Sequence, residues 1–179
     1  RPDRAADHLV PWLRRRAEEH GRFDVEVLDL REWPLPMFQE TFATLGDIDD
    51  PTYSEPVVRA WNKKVAEADA FLFITPEYNH SVPGVLKNAI DSVFVSFAFR
   101  NKPAGMVGYS GGPIGGARAV EHLAHIAVEA EMVPLRNSVL VGGVAGAFDD
   151  DSQPVDPTTD AALTKLEALM ADGEAWRRE

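Results

Sequence analysis

The chain has 179 residues, a formal net charge of −11, 45% apolar residues, 26% charged residues and no cysteine. This length suits one domain with a sizeable core, so we assign residues 1–179 to a single domain. The lack of cysteine excludes disulfides, thiol catalysis and cysteine-ligated metal sites, and it fits a reducing cytoplasm. The acidic balance argues against nucleic acid as a partner. No apolar run reaches the ~18 residues of a membrane-spanning helix, so we expect no membrane partner.

Apolar periodicity then switches repeatedly between the helical and the strand type, which is typical of an α/β domain. An apolar stripe predicts a helix over residues 3–19, which Gly21 ends. Alternating apolar residues predict a strand at Phe23–Leu30. Residues 31–51 form a connection of roughly twenty residues, too long for a structureless loop, so we expect it to pack down through its own apolar side chains.

The middle of the chain repeats this alternation. Ser54 is predicted to cap the next helix, and residues 70–75 (AFLFIT) read as a strand that is buried on both faces. A turn-rich loop covers residues 76–82, and Pro83 suits the first turn of a helix that runs to about Phe97.

The last third of the chain predicts two more strands and two more helices. In chain order we expect a strand at Lys102–Tyr109, a glycine-rich loop at residues 110–116, a helix at 117–130, a strand at Val133–Val141, an acidic loop at 149–159 and a final helix to about Trp176.

This order of elements begins with a helix, whereas a parallel sheet normally needs a central first strand. We therefore expect a flavodoxin-like, doubly wound parallel sheet of five strands in the order 2-1-3-4-5, with its first strand missing from this chain. In such sheets ligands bind beyond the carboxyl ends of the strands. Three segments are predicted to converge there: Arg1–Arg4, Pro76–Val82 and Ser110–Gly116.

Each of these segments allows two interpretations from its residues alone. The segment TPEYNHSVPG (residues 75–84) has rigid backbone donors and an aromatic ring for a flat aromatic ligand, or it is an ordinary strand-to-helix turn. The segment SGGPIGG (residues 110–116) lets a ligand approach the backbone closely, or it is a flexible turn; it lacks the dinucleotide fingerprint and the P-loop pattern. Arg1 and Arg4 form a phosphate site at a helix start, or they belong to a solvated chain end.

Two longer motifs carry a family resemblance. TPEYNHSVPGVLKNAID (residues 75–91) resembles the signature of the NAD(P)H-dependent FMN reductase family, which includes quinone, azo-dye and chromate reductases. SGGPIGGAR (residues 110–118) resembles the second flavin loop of that family, and the likeness extends through most of the chain. The resemblance implies a flavodoxin-like fold, noncovalently bound FMN and a dimer with flavin near the subunit interface.

The resemblance also implies roles for particular residues. Pro76, Glu77, Tyr78 and Asn79 would hold the edge and face of the isoalloxazine ring, chiefly through backbone groups. On the other side of the ring the contacts would come from Ser110, Gly111 and Gly112. Arg1 and Arg4 match two arginine positions of the phosphate loop, and the small residues that precede them in the family have no counterpart here.

The implied function is an FMN-dependent NAD(P)H oxidoreductase. It would pass hydride from NAD(P)H through FMN to a small acceptor such as a quinone, an azo compound or a metal oxyanion, in a ping-pong cycle. No acid–base residue is nominated as catalytic. The alternative is a flavodoxin-like FMN electron carrier that does not react with NAD(P)H directly.

Three further expectations concern residues outside these motifs. Arg100 and Lys102 are candidates for the extra phosphate of NADPH. The stretch VFVSFAF (residues 93–99) is too apolar for a helix end in water, so we expect it to form the seam of a homodimer or of a dimer of dimers. His122 and His125 have no evident third ligand, so no metal site is expected.

Overall fold

The structure is a computed structural model that describes residues 1–47, 51–155, 164 and 168–175. Its main elements, in chain order, are α1 (Ala6–His20), α2 (Phe42–Leu45), α3 (Pro56–Glu67), β1 (Phe71–Pro76), α4 (Gly84–Asp91), β2 (Pro103–Tyr109), α5 (Ala117–Glu129) and β3 (Val133–Val141). Short 3-10 turns cover Phe94–Ser96 and Val144–Gly146. Residues 168–175 form a further helix, which lies within the predicted final helix. Apart from residue 164, the rest of that predicted helix lies outside the described residues.

The strands form a parallel sheet in the order β1-β2-β3 within the described part of the chain. Pro76 at the end of β1 lies opposite Tyr109 at the end of β2, and Tyr109 lies opposite Val141 at the end of β3. The three carboxyl ends are therefore level with one another, and the loops that leave them start from one edge of the sheet.

Helices cover both faces of this sheet, because successive strand residues point to opposite sides. One face packs against α3, α4 and α5, through Phe71, Phe73, Ala104 and Met106 of the strands. The other face packs against α1 and the helix at 168–175, through Leu72, Ile74, Val107, Tyr109, Val139 and Val141. This three-layer packing confirms the doubly wound α/β class.

The segment Phe23–Leu30, which was predicted to be a strand, forms no strand in the structure. Phe23 and Val25 pack with the α1 side of the core, and Leu28 and Leu30 pack with the other side. The apolar alternation thus marks side-chain burial, but a strand also needs a hydrogen-bonded neighbour, and none of the three described strands pairs with this segment. The described sheet accounts for three of the five expected strands; the order of five stays a prediction.

Two helix boundaries differ from the predicted ones. Ser54 does not cap α3: its Oγ donates a 2.8 Å hydrogen bond to Glu40 Oε1, and Glu55 occupies the cap position. The helix that follows Pro83 ends at Asp91 and does not continue to Phe97, because Val93 leaves the helical region (φ −127°) and Phe97 is left-handed (φ 52°).

The long connection after Leu30 packs against the core, as predicted for its described part. Asn88, which is only 8% exposed, accepts a hydrogen bond from Phe38 N–H at 3.0 Å and donates one to Pro36 O at 2.9 Å. This side chain fastens the connection to α4, and the connection needs no regular structure of its own beyond the short α2.

The apolar stretch at residues 93–99 is mostly covered by its own chain. Val93, Val95 and Phe99 are at most 5% exposed and belong to the core, while Phe94 and Phe97 are half-buried. The apolar side chains of this stretch are therefore covered without a partner subunit. The argument from composition for a subunit seam at residues 93–99 no longer holds.

None of the helices in the described ranges combines the length and the apolar content that crossing a bilayer requires.

Candidate functional site

The loops after β1 and β2 begin as continuations of the sheet. Glu77 N–H donates to Tyr109 O at 3.1 Å, and Ser110 N–H donates to Val141 O at 3.1 Å. The N-terminal segment reaches the same edge, because the Arg1 guanidinium lies 4.6 Å from the centroid of the Tyr78 ring. The structure thus brings together the three segments that were predicted to converge.

A tight turn, here called the Tyr78 turn (Tyr78–Ser81), forms the outer part of the first loop. Tyr78 N–H donates to Ser81 O at 2.9 Å and Ser81 N–H donates to Tyr78 O at 3.1 Å. Asn79 and His80 between them have positive φ angles of 48° and 74°. Such angles at both central residues are the sign of a primed turn, in which glycine is the usual second residue. His80 is therefore strained, and the sequence motif gave no sign of this.

The Tyr78 turn also orients a free backbone donor. In a trans peptide the N–H points opposite to the C=O of the same unit. Tyr78 O is engaged inside the turn by Ser81 N–H, so Asn79 N–H points away from it. Asn79 is exposed, and its N–H has no hydrogen-bond partner among the described residues. This donor is available to a ligand.

The loop at residues 110–116 is held by its carbonyl groups. Ser110 O accepts Val144 N–H at 3.1 Å, and Gly112 O accepts Gly143 N–H at 3.1 Å and Ser110 Oγ at 3.0 Å. By the same trans-peptide geometry, Gly111 N–H points away from the turn at 143–144. Gly111 and Gly112 are exposed, and neither N–H has a partner within the described chain. This loop therefore also presents free donors.

The glycines of this loop are not equivalent. A Cβ added at Gly111 or Gly112 would meet no atom within 4 Å. At Gly116 (φ 81°) a Cβ would lie 2.6 Å from Tyr109 N, and at Gly115 (φ 65°) 2.9 Å from Val141 N. Gly115 and Gly116 are thus required by the fold, whereas Gly111 and Gly112 border open space.

Arg4 is already engaged by two carboxylates. Its Nη1 and Nη2 donate to Asp29 at 2.8 and 2.5 Å, and its Nε donates to Asp7 at 3.0 Å. Arg31 contacts the same two carboxylates, so the group of four is formally neutral. The bidentate bond from Arg4 lowers the pKa of Asp29 well below its ordinary value. A guanidinium has five N–H donors, so two of those on Arg4 remain for a ligand.

Glu77 does not present its side chain to the open edge. The side chain is 6% exposed, its Oε2 accepts Arg118 N–H at 3.2 Å, and its Oε1 forms an ion pair with the Arg118 guanidinium. The Arg118 contact lowers the pKa of Glu77. Its backbone N–H is also occupied, which leaves the backbone carbonyl of Glu77 as the predicted group that has no partner among the described residues.

Sequence reasoning missed several residues at this edge. Tyr109 is 7% exposed, and burial raises its pKa to about 12. Its position as the last residue of a strand, directly before a glycine-rich loop, was a usable signal. The contacts of Asp29, Arg118 and His122 form only in the folded chain, so no local pattern indicates them, although Arg118 ends the second motif and His122 was considered as a metal ligand.

Two predicted residues are not brought to the site. Lys102 directly precedes β2, at the amino end of the sheet, and its Nζ donates to Val65 O at 2.8 Å and to Ala66 O at 2.9 Å. It thus caps the last turn of α3. Arg100 forms an ion pair with Glu131 and stacks on Phe97, 4.1 Å from the ring centroid. Because ligands bind at the carboxyl ends, these cations lie at the wrong edge for the role predicted for them.

His122 lies beside the first loop. Its Nδ1 is 2.9 Å from Ser81 Oγ. Across the described ranges, no group of three or more metal-binding side chains is assembled.

Comparison with known proteins adds to this geometry. The sequence pattern of the NADPH-dependent FMN reductase family matches residues 1–146. An NAD(P)H-dependent FMN reductase of Pseudomonas aeruginosa is 38% identical over 157 residues, which are 86% of this chain and 78% of that protein. An NAD(P)H-dependent FMN reductase of Schizosaccharomyces pombe is 35% identical over 127 residues, which are 71% of this chain and 60% of that protein.

Among solved structures, the flavoenzyme NAD(P)H:(acceptor) oxidoreductase FerB from Paracoccus denitrificans superimposes with a TM-score of 0.76 at 25% identity. The match covers 98% of this chain and 92% of FerB. The resemblance seen in the two motifs, the flavodoxin-like fold and the family pattern over residues 1–146 agree, and the chain belongs to the NADPH-dependent FMN reductase family.

Proposed function

We propose that the protein is an FMN-dependent NAD(P)H oxidoreductase. The observation that carries this proposal is the pair of loops at the carboxyl edge of the sheet, each with N–H donors that have no partner among the described residues. Asn79 supplies such a donor in the first loop, and Gly111 and Gly112 supply them in the second. The carbonyl-rich edge of an isoalloxazine ring needs donors of this kind, held by a rigid backbone.

The side chains present also fit the rest of FMN. Tyr78 and Pro76 give the first loop an apolar face, and Ser110 lies at the start of the second loop. The open space beside Gly111 and Gly112 lets a flat ring approach the backbone.

Arg1 and Arg4 are the proposed phosphate ligands. Arg4 would donate through its two remaining N–H groups while Asp29 and Asp7 hold its guanidinium in place. Arg1 is exposed, and its charge is not part of the neutral group around Arg4, so it would supply most of the charge compensation.

When bound, FMN accepts hydride from NAD(P)H and passes the electrons to an acceptor. The protein's part is to hold the ring edge through Asn79 and Gly111 and to leave one ring face open. Because one open face can serve both substrates in turn, we infer ping-pong kinetics and a small-molecule acceptor such as a quinone, an azo compound or a metal oxyanion.

The test uses purified full-length protein supplied with FMN and freed of excess flavin. We expect a yellow protein whose visible absorbance is lost on anaerobic mixing with NADPH or NADH. A protein that retains FMN but stays oxidised with both nucleotides would be an electron carrier, and the oxidoreductase proposal would be wrong. A protein that retains no FMN would contradict both.

We further propose a homodimer, or a dimer of dimers, that uses the surface beside α4. An open pocket of about 310 Å³ lies there, lined by Met37, Phe38, Asn88, Asp91 and Phe94. Met37 is 73% exposed and Val85, in the first turn of α4, is 67% exposed, so both present apolar side chains to a partner. Sedimentation at micromolar concentration should show a dimer that Met37→Lys weakens; a monomeric wild type would contradict this.

We also propose a cytoplasmic location, which the cysteine-free sequence supports.

A further inference from the structure

The first loop is fastened to α5 at two points. Glu77, just before the Tyr78 turn, uses both carboxylate oxygens on Arg118, the second residue of α5. Ser81, at the end of the turn, places its Oγ 2.9 Å from His122 Nδ1. Arg118 and His122 are four residues apart and so lie on the same face of the helix. The Tyr78 turn is thus held at both ends by one helix.

This fastening links the two loops of the site. Helix α5 begins directly after the loop at 110–116, so whatever fixes its first turn also fixes the end of that loop. The carboxylate of Glu77 accepts the N–H of Arg118 at the helix start, where backbone donors lack partners inside the helix. A carboxylate there also gains from the helix dipole. Glu77 therefore ties the start of the Tyr78 turn to the end of the loop at 110–116.

The geometry of the turn is consistent with this constraint. His80 holds a positive φ of 74° without being a glycine, a conformation that persists only where its surroundings over-determine it. The two contacts to α5 supply that restraint. The side chain of Glu77 is 6% exposed and that of Arg118 is 43% exposed, so one partner of this ion pair is shielded from water, unlike surface pairs in which both side chains are exposed.

We propose that Glu77 and Arg118 are positioning residues for FMN: their side chains do not contact it and they hold the two loops at the spacing that the ring requires. This inference rests on the proposed function and adds to it a residue pair that acts through Asn79 and Gly111. The contact between Ser81 and His122 is exposed and is the weaker of the two fastenings.

The experiment compares Glu77→Ala, Glu77→Gln and Arg118→Ala with a matched control, Glu18→Ala. Glu18 also pairs with an arginine, Arg14 at 2.7 Å, but on the exposed surface of α1. Two quantities are measured: the Kd for FMN from flavin fluorescence, and amide hydrogen exchange of residues 76–82 and 110–118 in the flavin-free protein.

We expect Glu77→Ala and Arg118→Ala to raise the Kd for FMN about tenfold, the scale of a lost charge-assisted contact. Glu77→Gln should raise it only about threefold, because the amide keeps one oxygen that can accept Arg118 N–H. Exchange should quicken in both loops for either alanine variant, and the visible circular dichroism of bound FMN should change. Glu18→Ala should alter none of these quantities.

Other results would overturn the proposal. If Arg118→Ala leaves exchange in residues 76–82 unchanged, the loops are not linked. If exchange quickens but the Kd for FMN does not change, the link has no positioning role. If the wild type binds no FMN, the proposed function is wrong and positioning for FMN falls with it, while the exchange data still decide whether Glu77 links the loops.

Discussion

The two halves of the loop at residues 110–116 have nearly the same composition and opposite structural roles. Gly115 and Gly116 have positive φ angles and no room for a Cβ, because the backbones of β2 and β3 lie against them. Gly111 and Gly112 are exposed, border open space and keep their N–H groups free. Gly115 and Gly116 are required by the fold, whereas Gly111 and Gly112 are free to contact a ligand. The role of each glycine in such a motif therefore has to be established separately.

The same division applies to other residues of the predicted site. Arg4 and Glu77 are engaged by other side chains, Asp29 and Arg118 respectively. The Arg1 guanidinium and the Asn79 N–H have no hydrogen-bond partner among the described residues. Some predicted site residues therefore hold the site together through their side chains, and others have groups that would contact FMN.

The strongest test of this division is Gly116→Ala. We expect it to lower the free energy of unfolding by more than about 2 kcal/mol, since a left-handed alanine alone costs roughly 1–2 kcal/mol. Its Cβ would in addition lie 2.6 Å from Tyr109 N. Gly111→Ala should stay within about 0.5 kcal/mol of the wild type. Urea unfolding measures the free energy of unfolding of both variants. Equal losses of stability would contradict the different roles assigned to Gly116 and Gly111.

The converse test concerns binding. Gly111→Ala and Gly112→Ala should weaken FMN binding about tenfold without unfolding the protein, because each Cβ occupies space that the ring needs. Gly173→Ala is the control, since Gly173 lies in the helix at 168–175 and packs near Leu135, far from the carboxyl edge. Titration with FMN measures the Kd. Unchanged affinity in both loop variants would mean that FMN does not bind against Gly111 and Gly112.

The Arg4–Asp29 contact predicts a pH-dependent effect. A carboxyl group whose pKa is lowered by folding contributes stability above its unfolded pKa and loses it as the pH falls toward the folded value. Asp29→Asn should therefore lower the free energy of unfolding by about 1 kcal/mol at pH 7, and the difference should shrink below about pH 4.

Glu18→Gln is the matched control, because Glu18 pairs with Arg14 at 2.7 Å on the exposed surface of α1. It should cost only about 0.3 kcal/mol at pH 7. Unfolding curves at pH 7 and pH 3 check both variants. A loss for Asp29→Asn that is the same at both pH values would mean that the ion pair does not account for it.

The smallest effect is expected in the Tyr78 turn. His80→Gly should raise the free energy of unfolding by about 0.5 kcal/mol, because relief of the positive φ outweighs the entropy cost of glycine. Asn101→Gly at φ 59° should gain less, since asparagine tolerates this conformation. Thermal unfolding of the two variants distinguishes them; destabilisation by His80→Gly would show that the histidine side chain is itself needed.

Sequence patterns predicted the parts of the fold that depend on local chemistry. Val133–Val141 has the predicted bounds, and Gly21 ends α1 in the left-handed conformation. The strand predicted at Phe23–Leu30 was wrong because apolar alternation reports burial and says nothing of a neighbouring strand. The helix predicted to reach Phe97 was wrong because apolar spacing continued past the backbone break at Val93.

The site was predictable in outline but not in detail. Both loops and the N-terminal arginines were found from motif and position, since parallel strands end at one edge. The partners that occupy Glu77 and Arg4 are 41 and 25 residues away along the chain, so no local pattern shows these pairings. For the same reason Lys102 resembled a phosphate ligand until its contacts with the end of α3 were known.

An amide NMR titration of the protein with FMN tests most directly whether FMN binds between these two loops. The resonances of Asn79, Gly111 and Gly112 should shift most, because their N–H groups lie at the carboxyl edge and have no partner among the described residues. Amides already bonded within the fold at this edge, such as those of Tyr78 and Ser110, should shift less. Saturable binding that leaves the three donor amides unmoved would contradict the placement of FMN between these loops.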